Sequence, residues 1–401
     1  MKLFRINTQT IIPFLVLLGV FLTPVFTFQE VISFLSGSVQ AKSSTNIFIK
    51  LIKDLIFILI IFISFLKFIL NKSLTINKIF LLICFIILTS CFLSFLSNND
   101  LISIIAGIRF CIPIILIFAL IKYIDLDSQK KISKILFYLF ILAFVLQLYQ
   151  LFFMKHFWGT NPFGLSLRNP GFFAQNNTMA FFSLITLYYN ISFENSKTIR
   201  KIIFILVPIS IFLTASGTGI IVLVAFYMYQ LYLKIKKGYS SFVFIFLFSI
   251  IFIGFLCYLP ILINRGSIFR SLFIRLEIIY KNFDLKNFLF SIDFGHATNT
   301  GTMLNSKFGL VNKNFYIADS TIAALLTNIG LLGAILFYYI IYNVKINSEK
   351  YYFFVIVFVS FSFTAIIPES YPMNLLFAIN IAYFFKYKND LKESYSYTKL
   401  V

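Results

Sequence analysis

The sequence predicts an all-α fold: a polytopic integral membrane protein of about twelve transmembrane helices, with one large extracytoplasmic loop between helices 9 and 10. Three observations carry this. Hydrophobic residues make up 60% of the 401 and charged ones only 12%, about half the charged share of a soluble domain. The apolar residues run in windows of about 20, the length that crosses a ~30 Å hydrocarbon core as a helix. Lys and Arg gather in alternate loops between those windows, as they do on the cytoplasmic side of membrane proteins.

In chain order the apolar windows fall at 11–35, 47–70, 79–97, 101–121, 133–153, 172–190, 199–215, 218–233, 241–263, 318–342, 351–369 and 373–385. The last is short for a full crossing and fits a tilted, re-entrant or extended helix. The start of the chain, Met1 to Arg5 and then Ile11 to Phe28, resembles a signal peptide. No small-x-small cleavage site follows promptly, so an uncleaved first span is expected. Three regions result: 1–263 with helices 1–9, the loop 264–317, and 318–401 with helices 10–12 and a tail.

Charge sets the orientation. Lys2 and Arg5, Lys72 and Lys78, Lys122 with Lys130, Lys131 and Lys134, and Lys197 with Arg200 and Lys201 fall in alternate loops. So do Lys234, Lys236 and Lys237, then Lys345 and Lys350, then Lys386, Lys388, Lys392 and Lys399 in the tail. An even number of spans puts them all on one side, which is then cytoplasmic together with both termini. The opposite loops are poor in charge (98–100 is Asn-Asn-Asp, 215–217 is Ala-Ser-Gly), and the longer ones, 154–171 and 264–317, face outward. The formal net charge of +20 would suit a nucleic-acid binder. Its position in short loops accounts for it more simply, and no nucleic-acid partner is expected. Cys84, Cys91, Cys111 and Cys257 lie inside apolar spans without a C-x-x-C. They are expected to pack as small hydrophobes, not to bind metal or exchange disulfides.

A few charges lie within or near the spans. Lys50 and Asp54, four residues apart, are expected to pair, with Lys53 beside them. Arg109 stands alone in span four between Gly107 and Pro113. Such an Arg either faces a polar cavity and binds an anion or anchors a neighbouring helix by hydrogen bonds, and both readings are open.

The polar residues on the outer side form a candidate site. Loop 154–171, with Phe157, Trp158 and Phe163, suits a segment lying on the membrane, and it ends in Arg168-Asn169-Pro170-Gly171. Gln175, Asn176 and Asn177 then open span six. Amides there must find partners: either they pack helices together or they line a polar cavity with Arg168 at its rim. Arg265, Arg270 and Arg275 recur every five residues, so they do not share one narrow helical face. Each can meet lipid headgroups, and together with Arg168 and Arg109 they can bind a diphosphate through bidentate guanidinium contacts. Asp319, before Ser320 at the start of span ten, is either an N-cap or a general base at the membrane surface. His156 and His296 are the only histidines, and Asp293-x-x-His296 is too little for a metal site. No phosphate-binding loop, H-E-x-x-H or G-x-S-x-G is present, so ATP-driven transport and standard metallo- or serine-hydrolase chemistry lack support. No cofactor and no metal is expected.

Four patches carry a resemblance to a known family. Arg168-Asn169-Pro170-Gly171 with Asn176-Asn177 looks like an R-x-x-G followed by Asn. Thr214-Ala215-Ser216-Gly217-Thr218-Gly219 looks like T-x-S-R-T-x. Arg275 with Asp293-Phe294-Gly295 resembles an Arg and a later F-G in one large loop. Asp319-Ser320 followed after nine residues by Gly330-Leu331-Leu332-Gly333 has the spacing of H-[NSQ]-x9-G-x-x-[GTY]. In this order and with this topology, over about residues 100 to 380, the chain resembles the O-antigen polymerase and O-antigen ligase superfamily, which includes capsule and exopolysaccharide polymerases. Gly217 departs from the family Arg, and Asp319 stands where ligases have His, as in the polymerase branch.

The resemblance implies a metal-independent glycosyltransferase in the bacterial cytoplasmic membrane. Its substrate is a polyprenyl-diphosphate-linked oligosaccharide, and membrane lipid and a chain-length regulator protein are candidate partners. Asp319 would deprotonate the acceptor hydroxyl, and Arg168 and Arg275 would stabilise the departing diphosphate. Arg109, Arg265, Arg270, Asn176, Asn177 and His296 would bind substrate. The alternatives are a ligase-type glycan transferase and a lipid-linked oligosaccharide flippase. No internal repeat between the halves speaks for a transporter.

Overall fold

The computed structural model describes residues 8–27, 47–70, 78–97, 99–153, 169–173, 175–194, 196–236, 276–277, 280, 289–302 and 319–398. Among them there is helix, turn and bend but no strand. The long helices are α1 (Thr8–Phe21), α2 (Ile47–Leu70), α3 (Lys78–Leu96), α4 (Leu101–Leu120), α5 (Leu126–Phe153) and α6 (Asn176–Phe193). They continue with α7 (Lys197–Thr214), α8 (Gly217–Lys236), α9 (Thr321–Asn343), α10 (Glu349–Ser362) and α11 (Met373–Thr398). Four of them, α3, α4, α5 and α9, are long and apolar enough to cross a membrane.

The helices follow the apolar windows, and the differences have local causes. α5 starts at Leu126, not at 133, because Asp125 caps it: its carboxylate accepts the Ser128 N–H at 2.8 Å. Lys130, Lys131 and Lys134, expected in a loop, therefore sit on the first turns of α5. α10 ends at Ser362, not at 369, and α11 continues past 385 to Thr398. α1 ends at Phe21 because Pro24 has no N–H to offer the Val20 carbonyl; the Thr23 hydroxyl takes that carbonyl instead, at 2.7 Å. Ser196 and Ser348 cap α7 and α10, accepting N–H groups of Ile199 and Tyr351.

Two helices are buried all round, α6 from Thr178 to Asn190 and α11 from Met373 to Phe385. Each is the centre of a group. α6 packs against α5, α7, α8 and α10, while α11 packs on α4, which also meets α2 and α3. α1 bridges the groups, touching α2 and α5. The outer helix faces carry exposed Phe85, Leu88, Phe92 and Phe95 on α3, a surface suited to lipid. Inside, where lipid is as apolar as the side chains, close packing and hydrogen bonds hold the helices together. Phe226 and Phe353 meet with ring centroids 4.1 Å apart, and Phe181 meets Phe358 and Phe361 edge to face. Such pairs contribute about 0.5–1.5 kcal/mol each beyond simple burial.

Residues 289–302 depart from the expected surface loop. They are packed into the bundle between α3, α4 and α9, with Ser291, Phe294, Ala297 and Thr298 fully buried. The backbone polar groups that enter the apolar interior are met by side chains. Asn99 Nδ2 donates to Ile292 O at 2.6 Å, Ser291 N donates to Ser90 Oγ at 3.3 Å, and Gly295 N donates to Asn328 Oδ1 at 2.8 Å. The Ser291 hydroxyl also donates to Thr327 O. Irregular backbone can be buried in an apolar interior only when its polar groups are met in this way. Shape allows the entry at three glycines. The Phe294 ring fills the space a Cβ on Gly107 would need, 2.5 Å away. Gly295, at φ +91, lies against the Ser103 carbonyl. Gly330, at φ +72, breaks the regular geometry of α9 where the Leu289 carbonyl presses on it, 2.6 Å from where a Cβ would sit. Gly295→Ala is expected to combine backbone strain with this overlap and to lower stability by about 2 kcal/mol or more, read as the unfolding midpoint in detergent. An unchanged midpoint would mean that the segment does not sit at Ser103.

Candidate functional site

The polar residues converge at one end of the bundle, where α3 runs into α4 through residues 97–100. The same end holds the start of α6, the turn between α7 and α8, the start of α9 and the α10–α11 connection. The connections at 121–125 and 344–348, with Lys122 and Lys345, lie at the other end.

The first cluster joins three patches far apart in sequence. Asn169 N donates to Leu213 O at 3.0 Å, tying the Asn169-Pro170-Gly171 turn to the end of α7. The turn is held from below by α5: Gln147 Nε2 donates to Asn169 O, and Gln150 exchanges two bonds with Gly171. Ser216 Oγ donates to Asn177 Oδ1 at 2.8 Å, joining the α7–α8 turn to the start of α6. Asn177 Nδ2 in turn reaches Thr364 O at 3.5 Å on the α10–α11 connection. That connection is fixed to α9 by Thr321, whose hydroxyl donates to Ala365 O at 2.6 Å and accepts Ile367 N at 2.9 Å. Ser320, buried, donates to Ser362 O. Asn169, 1% exposed, keeps both side-chain polar atoms without a hydrogen bond, and so does Oδ1 of Asn176. Buried amides without partners are rare, and each calls for an explanation.

Asp319 lies at the rim of this cluster. It is exposed, with φ +48 in the left-handed region, a conformation that Asp and Asn tolerate better than most residues. The N-cap of α9 is Ser320, not Asp319. The capping reading of Asp319 is therefore replaced by that of an exposed carboxylate one residue before the cap.

The second cluster is ionic and lies deeper. Arg109, about 12 Å below the start of α4 at 1.5 Å per residue, is not alone. Its Nε stands 2.6 Å from Asp54 Oδ2 and its Nη2 3.4 Å from Oδ1, and Nη1 donates to Thr300 Oγ1. The partner found for Asp54 is thus Arg109; the side chain of Lys50, expected to pair with it, lies outside the described residues. Thr300 Oγ1 also donates to Glu369 Oε1 at 3.0 Å, and Glu369 accepts the backbone N–H groups of Asn299 and Thr300 at 2.6 and 3.3 Å. Burial pushes the Glu369 carboxyl above the usual range, against the opposing pull of Asn299 N–H, Arg109 and Thr300. Lys53, nearly buried and 5.4 Å from the Tyr371 ring centre, completes the walls of a small cavity with Asn374 and Pro368. With two cations and two carboxylates this cavity is balanced, and the Arg109 fork is engaged by protein groups, not turned to an open anion site. His296, 1% exposed, has Nδ1 3.4 Å from Asp293 Oδ1 on the inserted segment.

Of the expected site residues, Asn176, Asn177 and Asp319 share the first cluster, and Arg109 and His296 belong to the ionic cavity and the inserted segment. Arg168, Arg265, Arg270 and Arg275 lie outside the described residues. Sequence reading passed over Thr300 and Asn328. Asn328 had a signal: an amide seven residues into an apolar helix needs a partner, which is Gly295 N–H.

The fold and these clusters define a helical protein with membrane-compatible helices and two polar clusters, one of them at the end of the bundle. No protein-family model matches the chain, and no curated protein or solved structure matches it either.

Proposed function

We propose that this chain is a polysaccharide polymerase of the cytoplasmic membrane, joining polyprenyl-diphosphate-linked repeat units at its outer face. The observation that carries the reading is the convergence of residues 169–171, 176–177, 214–217 and 319–321 at the end of the bundle opposite the connections that hold Lys122 and Lys345. They belong to three of the four patches on which the resemblance rests, and an outward-facing end for them is part of the proposal. Twelve spans, with both termini cytoplasmic, belong to the same proposal.

The chemistry asks for one group that takes the acceptor hydroxyl's proton and for cations that stabilise the leaving diphosphate. Asp319 supplies the first. Arg168 and Arg275 supply the second, with Arg265 and Arg270 on the same loop. Asn176 and Asn177 offer amides to sugar hydroxyls. Each elongation forms one glycosidic bond to the acceptor oxygen and breaks one between the donor sugar and its diphosphate. A flippase is the second reading, favoured by the half-buried ion cluster Asp54–Arg109–Glu369, since charged groups within a membrane bundle often serve transport.

Deleting the chain and restoring it separates the two. Under the polymerase reading the deletion strain accumulates single lipid-linked repeats on the outer leaflet, and the restored chain returns a ladder of lengths. Single repeats confined to the inner leaflet would give the function to the flippase reading.

A further inference from the structure

We propose that Glu369 is a positioning residue: it holds the inserted segment 289–302, and with it Asp293 and His296, in register with the polar cluster beside Asp319. The polymer arm of the test below rests on the polymerase reading; the labelling arm does not.

The segment is anchored differently at its two ends. Its first half is held by uncharged groups on α3 and α9, including Ser90, Thr327 and Asn328. Its second half closes in a helical turn at 299–302, whose first N–H groups have no partner within the turn. Both Asn299 N and Thr300 N turn to one carboxylate, that of Glu369, which also receives the Thr300 hydroxyl. Three donors from adjacent residues thus meet one acceptor about seventy positions away in sequence. Arg109 holds Thr300 from the other side and is itself fixed by Asp54.

What makes this a positioning device is where Glu369 is mounted. The α10–α11 connection that carries it also carries Thr364, Ala365 and Ile367. Those residues receive Asn177 and grip Thr321, two residues after Asp319. One short connection therefore fixes the rim carboxylate and the inserted segment to the same frame. Both carboxylate oxygens accept, Oε2 from Asn299 and Oε1 from Thr300, so Gln, with one carbonyl oxygen, can replace Glu in part; Ala cannot.

The test uses the full chain with Cys84, Cys91, Cys111 and Cys257 replaced by Ser and a single Ala297→Cys, a buried position on the segment. A membrane-impermeant maleimide is applied to intact cells and the labelling rate measured. Glu369→Ala is expected to raise that rate about tenfold or more, the scale set by losing hydrogen bonds to a charged acceptor. Glu369→Gln, which keeps one of the two acceptor oxygens, is expected to give a rate between those of Glu369→Ala and the unsubstituted residue. The polymer ladder should shorten with Ala and recover in part with Gln. Should Glu369→Ala fail to accumulate, Thr300→Val, which removes one of the three donors, should raise labelling by a smaller factor. Equal labelling in all variants that accumulate overturns the proposal. Faster labelling in Glu369→Ala with no polymer from any variant, the unsubstituted chain included, upholds the positioning of the segment and defeats the polymerase reading instead.

Discussion

Asp319→Asn is expected to leave the protein's abundance unchanged while polymer length collapses to single repeats. Asn keeps the shape and tolerates the left-handed backbone at φ +48. It cannot take a proton at neutral pH, and losing a general base typically slows a reaction by about 10²-fold or more. The cap of α9 is Ser320, so no capping energy is lost with Asp319. Asp319→Ala differs for another reason: Ala gains no local hydrogen bond to offset the left-handed conformation, which costs about 1–2 kcal/mol. Its abundance should fall somewhat while its ladder matches that of the Asn variant. A normal ladder from Asp319→Asn would remove Asp319 as the base and leave Asp293, His296 or Glu369 to take the role.

Arg109→Ala is expected to give the largest loss of stability. It strands Asp54 and takes one partner from Thr300. Removing one member of a buried ion pair costs about 3–5 kcal/mol. Here the two side chains are 24% and 18% exposed, so a loss at or just below the bottom of that range, about 2–3 kcal/mol, is expected. Arg109→Lys should fall between, because an ammonium cannot span both Asp54 and Thr300 with a planar fork. Adding Asp54→Ala to Arg109→Ala should recover part of the loss, since the stranded charge is gone. Unfolding midpoints of these proteins and of Asp54→Ala alone, measured in detergent, check this; additive losses from the two alanine substitutions would show that the pair is not coupled.

The helices were legible because a hydrocarbon-spanning helix must be apolar over its whole length, and α3, α4 and α9 stand within about three residues of their apolar windows. Charged first turns were not, because Lys130 and Lys134 on α5 read as loop until the Asp125 cap is seen. The ion pair was missed for a different reason. Arg109 and Asp54 are 55 residues apart, and nothing local distinguishes that pairing from Lys50 with Asp54, four residues apart. The inserted segment was the hardest to foresee. Its polar composition describes a surface loop, and only its small residues, Gly295, Ala297 and Thr298, hint that backbone approaches backbone. At the candidate site, Asn177 and Ser216 were each visible as polar groups in apolar surroundings, but their meeting depends on how α6, α7 and α8 pack.

Reconstitution of the purified chain in liposomes with a polyprenyl-diphosphate-linked repeat unit, without nucleotide or metal, tests the central claim directly. Products are separated by length, and the leaflet holding the repeats is probed with an impermeant reagent. The account predicts a ladder of longer glycans on one leaflet, with free polyprenyl diphosphate released for each bond formed and none from Asp319→Asn. Repeats that cross to the other leaflet without growing in length would contradict it.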